Sequence, residues 1–145
     1  VREDMAFSSD FIVGFPGETE QAFKNTLKLV DEVKYCQAYS FKYSRRPGTP
    51  GSILQGQVAE EIKIERLAEL QIILNEQQLS FNKTFVGKEF DILLERRGKM
   101  DDQLVGKSPY MQAVHILTKD SKIGDIVKAH ILNADKNSLT GSLYN

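Results

Sequence analysis

The chain has 145 residues, is 41% hydrophobic and 27% charged, and carries a formal net charge of −1. That balance is ordinary for a soluble globular protein with one domain or two small ones, and bulk charge neither requires nor excludes a nucleic-acid partner. No apolar run approaches the ~20 residues of a membrane-spanning helix, and one cysteine, Cys36, rules out an internal disulfide or a cysteine metal cluster.

In chain order, Val1 to Ala6 is a polar lead-in without the basic-then-apolar order of a secretory leader, which points to a cytoplasmic protein. Phe7 to Val13 is short, apolar and partly β-branched, so it predicts a strand buried over most of its surface. Gly14 and Gly17 bracket a turn stiffened by Pro16, and Thr19 is placed to cap the helix that follows. Apolar residues at Ala22, Phe23, Leu27, Val30 and Val33 give Glu20 to Lys34 helical spacing. Tyr35 to Tyr43 then alternates, with Tyr35, Gln37, Tyr39, Phe41 and Tyr43 on one side. A strand, a helix and a strand predict a parallel, right-handed βαβ unit, whose ligands gather at the carboxyl ends of the strands. Two strands cannot close a sheet, so this half reads as part of a larger βα architecture.

At that ligand edge lies Ser44-Arg45-Arg46-Pro47-Gly48-Thr49-Pro50-Gly51, a loop whose adjacent arginines suit phosphate or carboxylate groups or are simply solvated. Val58 to Phe81 follows as a long helix with Val58, Ile62, Leu67, Leu70, Ile73, Leu74 and Phe81 roughly on one face. The texture changes over Lys83 to Gly87, giving expected domains of 1–83 and 84–145. Beyond it, five short strands are expected over Lys88 to Glu95, Gln103 to Lys107, Ala113 to Leu117, Asp125 to Ala134 and Ser138 to Tyr144. Five strands in about sixty residues predict an OB-like barrel, a scaffold used for single-stranded nucleic acid. The fold class is therefore α+β in two parts. Nine basic and eight acidic residues nearly cancel in the barrel, so an RNA footprint must come from clustering. Arg96, Arg97, Lys99 and Lys107 are the best candidates, with Tyr110 and His115 available to stack on bases. His115 taken alone reads first as an ordinary strand residue.

Three segments in order carry a resemblance. Ser9 to Thr19 (SDFIVGFPGET) and Phe41 to Pro50 (FKYSRRPGTP) resemble the late part of a radical-SAM methylthiotransferase. The terminal barrel resembles a TRAM domain, and Gln103 to His115 (QLVGKSPYMQAVH) is similar to the tRNA-modifying, MiaB-type branch rather than the ribosomal-protein branch. The resemblance implies a βαβα piece from the end of a partial (β/α) barrel, followed by TRAM. It further implies an enzyme that methylthiolates isopentenylated adenosine beside the tRNA anticodon, using S-adenosylmethionine (SAM) and two [4Fe–4S] clusters.

Cys36 matches neither cysteine motif of that family, so no catalytic residue and no metal ligand is expected here. The chain is expected to lack the amino-terminal part of the enzyme and to have no methylthiotransferase activity alone. Matching positions make Gly14, Phe15, Tyr43, Ser44 and Arg45 the expected SAM-side residues. Arg46 joins Arg96, Arg97, Lys99, Lys107, Tyr110 and His115 as candidates for contact with a tRNA anticodon stem-loop. A stand-alone TRAM-type RNA-binding module and a fragment of a ribosomal-protein methylthiotransferase are the alternatives.

Overall fold

Strand β1 (Ser8–Val13), helix α1 (Glu20–Val33) and strand β2 (Gln37–Lys42) form the expected βαβ unit in a computed structural model of the chain, which describes residues 2–143. Of the expected features, Val1 in the lead-in and Tyr144 at the end of the last strand lie outside those residues. The strands pair in parallel, from Ser8 opposite Gln37 to Val13 opposite Lys42. Thr19 caps α1 by accepting the Ala22 amide proton at 3.1 Å. The helix stops at Lys34, which turns left-handed (φ 57°) and donates its amide to the Val30 carbonyl.

Helix α2 (Glu60–Lys83) supplies the other wall of this unit: Leu70 and Leu74 pack with Val13, Phe23 and Val30 in one core. Only one face of the small sheet is covered. Phe11, Val13 and Ala38 point to that core, whereas Ile12, Tyr39 and Phe41 stay exposed. The expectation that β1 is buried over most of its surface is thus corrected. Alternation gives each strand two faces, and the helices reach one of them.

The chain divides into two units between Gln77 and Gln78, so α2 continues past the division. The second unit contains strands β3 (Glu89–Arg97), β4 (Gln103–Lys107), β5 (Ala113–Leu117), β6 (Ile126–Ala134) and β7 (Ser138–Leu143). They close in the order β3-β4-β5-β7-β6. Every described pair is antiparallel except β5 with β7. This is the five-stranded OB-like barrel expected from the sequence. Alternate residues, among them Ile92, Leu94, Val114, Ile116, Ile131 and Leu139, fill its interior with no exposed surface. Gly106 allows β4 to approach β3, because a Cβ there would lie 2.4 Å from the Leu93 carbonyl oxygen.

One pole of the barrel is plugged. Phe81 from the end of α2, Phe85, Phe90 and Tyr110 stack edge to face or tilted, with ring centroids 5.0 to 6.3 Å apart. Beside them Asn82, 2% exposed, acts as a hub. Its Nδ2 donates to the Asp135 and Lys136 carbonyls at 2.8 and 3.0 Å, and its Oδ1 accepts from Gln112 Nε2 at 2.9 Å. The Ser108 hydroxyl in turn donates to Gln112 Oε1 at 2.6 Å. The β4–β5 loop and the β6–β7 turn are therefore both tied to the same helix end.

Leaving such partners unmet in a buried site costs roughly 1–3 kcal/mol. Asn82→Ala is accordingly expected to lower the opening free energy of the barrel by about 2 kcal/mol. Hydrogen-exchange protection of the Leu104, Val114 and Ile131 amides checks this, and unchanged protection would contradict the hub's role.

Candidate cofactor cleft and nucleic-acid interface

Two separate clefts collect half of the residues marked by the sequence. The first, about 680 Å³, opens on the uncovered sheet face of the amino-terminal unit and its carboxyl edge. Ile12 and Phe41 form its apolar floor, and Phe15, Tyr43, Ser44 and Arg46 reach it from the loops. Phe15 and Tyr43 pack edge to face, with centroids 5.1 Å apart. The Tyr43 hydroxyl is buried without a hydrogen-bond partner among the described residues. It sits against Gly51, where a Cβ would come within 2.7 Å of that oxygen.

Gly14 and Arg45, both expected on the cofactor side, are not in this lining. Arg45 Nε donates to the Ser52 carbonyl at 2.7 Å, which fixes the arginine to its own loop. Gly14 faces the stem of Lys63: a Cβ would lie 2.2 Å from Lys63 Cγ, and its φ of +74° independently favours glycine. The Gly14 amide donates to Glu18 Oε1 at 2.8 Å, and the same oxygen accepts from Arg66 Nη1 at 2.7 Å. Arg66 also donates to the Glu18 carbonyl at 3.1 Å. Both side chains are largely buried, so this pair holds the glycine turn at the head of α1. Nothing in local spacing pairs residues 48 positions apart, and the sequence gives no signal for Arg66.

Glu60 completes the frame. It bonds to Lys42, and to Lys63 at 2.9 Å, while Lys63 Nζ also donates to the Tyr43 carbonyl at 3.1 Å. Hydrogen bonds from Lys42 and then Lys63 pull the Glu60 carboxyl down to about 2. Cys36 is spent differently: its thiol donates to the Phe7 carbonyl at 3.1 Å, and burial pushes its pKa up. Among the described residues no group of three or more His, Cys, Asp and Glu side chains is placed to hold a metal ion. One cysteine cannot supply the three thiolates of an iron–sulfur site, so this chain's own residues do not fit such a cluster.

The second cleft, about 710 Å³, lies at the barrel pole opposite the aromatic plug, between the β3–β4 and β5–β6 loops. Arg97 and Lys99 line it. Arg96 pairs with Val105 and Val105 with His115, which places Arg96 and His115 in one row on the outside of the barrel. Lys107 stands at the far end of β4, about 13 Å along the strand from Gln103, and donates to the Met111 carbonyl. The basic residues expected to act as one cluster are thus spread along the barrel. Tyr110 is partly committed. Its ring is half-buried against Phe81, Phe85 and Phe90, so only part of it is left for stacking on a base.

Comparison with known proteins agrees with this architecture. Residues 83–144 match the TRAM domain family. The chain is 54% identical over 138 residues to a "tRNA-2-methylthio-N(6)-dimethylallyladenosine synthase" of Agrobacterium fabrum, covering 95% of this chain and 30% of that protein. Proteins of the same name from Ehrlichia ruminantium and Wolbachia pipientis are 50% and 54% identical, over 99% and 97% of this chain and 33% and 32% of theirs. The chain therefore spans about a third of the length of the curated relatives it matches.

Glu60 also carries a pH signature. Its folded value of about 2 lies below the ordinary 4.5, so its contribution to stability is fully present above pH 4.5 and is lost as pH falls toward 2. Denaturation midpoints measured at pH 7 and pH 2.5 should fall less on acidification in Glu60→Gln than in the parent chain. The difference should shrink in high salt, because the pair is exposed; an identical acid response in the two chains would contradict the assignment.

Proposed function

On the premise that this chain is related over nearly its whole length to the tRNA-2-methylthio-N(6)-dimethylallyladenosine synthases, and that residues 83–144 form a TRAM domain, we propose that it is the carboxyl-terminal part of such an enzyme. Residues 1–83 then belong to the radical-SAM domain, and residues 84–145 form its RNA-binding module. The substrate of the whole enzyme is an isopentenylated adenosine beside the anticodon of tRNA. The observation that carries this reading is the joining, in one chain, of a βαβ ligand edge and a closed OB-like barrel at about half identity to those relatives.

Within that enzyme the sheet-edge cleft forms one wall of the SAM site. SAM held there would supply the chemistry in two roles, one molecule giving the methyl group and another, cleaved with an electron from a cluster, giving the hydrogen-abstracting radical. This chain's residues bind and orient: Phe15, Ile12 and Phe41 offer apolar surface, with the Tyr43 ring packed edge to face beside Phe15. Arg46 lines the same cleft and suits a carboxylate or a phosphate. The Glu18–Arg66 pair and the Lys63–Tyr43 contact hold the two loops in place. The clusters draw their thiolates from chain absent here, so the isolated chain is expected to show no methylthio transfer.

The barrel binds tRNA chiefly through phosphates. A tRNA anticodon stem-loop titrated into the 145-residue chain should bind more weakly as salt rises, with log K linear in log salt. Replacing Arg96 and Lys99 together with Gln should weaken binding and flatten that dependence. Affinity indifferent to salt, or untouched by the double replacement, would sink this electrostatic footprint.

A further inference from the structure

The two poles of the barrel are built for different tasks. At the plugged pole the β4–β5 loop and the β6–β7 turn have their polar groups committed to Asn82 and Gln112. At the other pole the β3–β4 and β5–β6 loops leave a cleft of about 710 Å³. Two lysines that no sequence motif singles out, Lys119 and Lys122, line it opposite Arg97 and Lys99. Its acidic lining is limited to Asp101 and Asp102. Asp102 faces Lys119 at 3.7 Å as an exposed pair, which screening makes weak. The neighbouring Asp125 carboxylate accepts the Lys122 amide at 2.9 Å and is directed at its own loop.

The loops are also set in shape before any ligand arrives. Thr118 donates its amide to the Asp102 carbonyl at 2.8 Å, which ties one loop to the other. Gln103 Oε1 accepts the Lys99 amide at 3.0 Å, and Thr118 Oγ1 accepts the Ser121 amide at 3.2 Å. Gly124 donates to the Leu94 carbonyl at 2.8 Å, closing the second loop onto β3. Met100 and Ile123, both more than half exposed, add apolar surface to the same cleft. Cations on two fixed walls with apolar side chains between them match a single strand, whose phosphates and bare base faces are presented together. A duplex would keep those faces stacked inside.

We propose that this cleft, through Lys119 and Lys122 together with Arg97 and Lys99, is where the barrel grips single-stranded RNA backbone, and that the plugged pole makes no RNA contact. The inference rests on the RNA-binding reading above and locates it.

The test uses the 145-residue chain and a fluorescent unstructured RNA of about 12 nucleotides, with affinity measured from 50 to 300 mM salt. Each single-strand phosphate contact adds about 0.7 to the slope of log K against log salt. The double variant Lys119→Gln/Lys122→Gln should therefore lose about 1.4 of slope and bind about tenfold more weakly at 150 mM salt. Asp101→Asn should bind more tightly than the parent chain. Lys128→Gln, which alters a lysine paired with Asp91 on β3, should match it. Because all four positions are on the surface, an unchanged thermal midpoint certifies the fold of each variant. A parent chain that binds while the Lys119/Lys122 variant binds equally, with the same slope, overturns this location and leaves the RNA-binding reading standing. A parent chain that fails to bind at any salt overturns the reading and the location together.

Discussion

A buried side-chain amide has two donors and an acceptor to satisfy, and Asn82 satisfies them across three segments of chain. Its burial makes the arrangement demanding, since an unmet polar group in that setting costs more than a hydrogen bond gains. The consequence is a barrel with unequal ends. Around Asn82, the helix end, the β4–β5 loop and the β6–β7 turn are fixed by side chains and packed aromatic rings. Ligand contact then falls to the opposite loops, which are held mainly by their own hydrogen bonds and present charge outward. The same division accounts for Ser108, Tyr110 and Gln112. These three lie in the single stretch from Gln103 to His115, and all three are used to build the plugged pole.

The amino-terminal unit solves a comparable problem with charge. Its glycine turn needs a left-handed residue at Gly14 and a partner for the Gly14 amide, and Glu18 supplies the partner. Burying that carboxylate is tolerable because Arg66 neutralises it at 2.7 Å. Lys63 fills the space beside Gly14 and ties the Tyr43 carbonyl, so the two loops that rim the sheet-edge cleft share one scaffold. A ligand in that cleft would meet a surface whose position is set by ion pairs behind it.

Much of this was legible in the residues because it is periodic or local. Alternation located the strands, Thr19 marked a helix start, and five short alternating segments predicted the barrel that the structure closes. What stayed hidden depends on residues far apart in sequence. The Glu18–Arg66 pair spans 48 positions, and the Asn82 contacts to the β6–β7 turn span more than 50. An aromatic in a Ser-Pro loop carries no mark of packing, and only barrel closure brings Tyr110 to Phe81, Phe85 and Phe90. Lys107 is close to Lys99 in sequence, but an intervening strand carries it toward the other pole. Lys119 and Lys122 show the converse: a loop far along the chain returns them to Arg97.

On this proposal one pole of the barrel is structural and the other receives RNA. Backbone amide shifts of isotope-labelled chain, followed by NMR during titration with single-stranded RNA, test it most directly. Perturbations should concentrate at residues 97–103 and 118–124, while residues 81–90, 108–112 and 135–137 stay near their free positions. Perturbations centred on the β4–β5 loop and the β6–β7 turn, with the Lys99 and Lys122 amides unmoved, would contradict it.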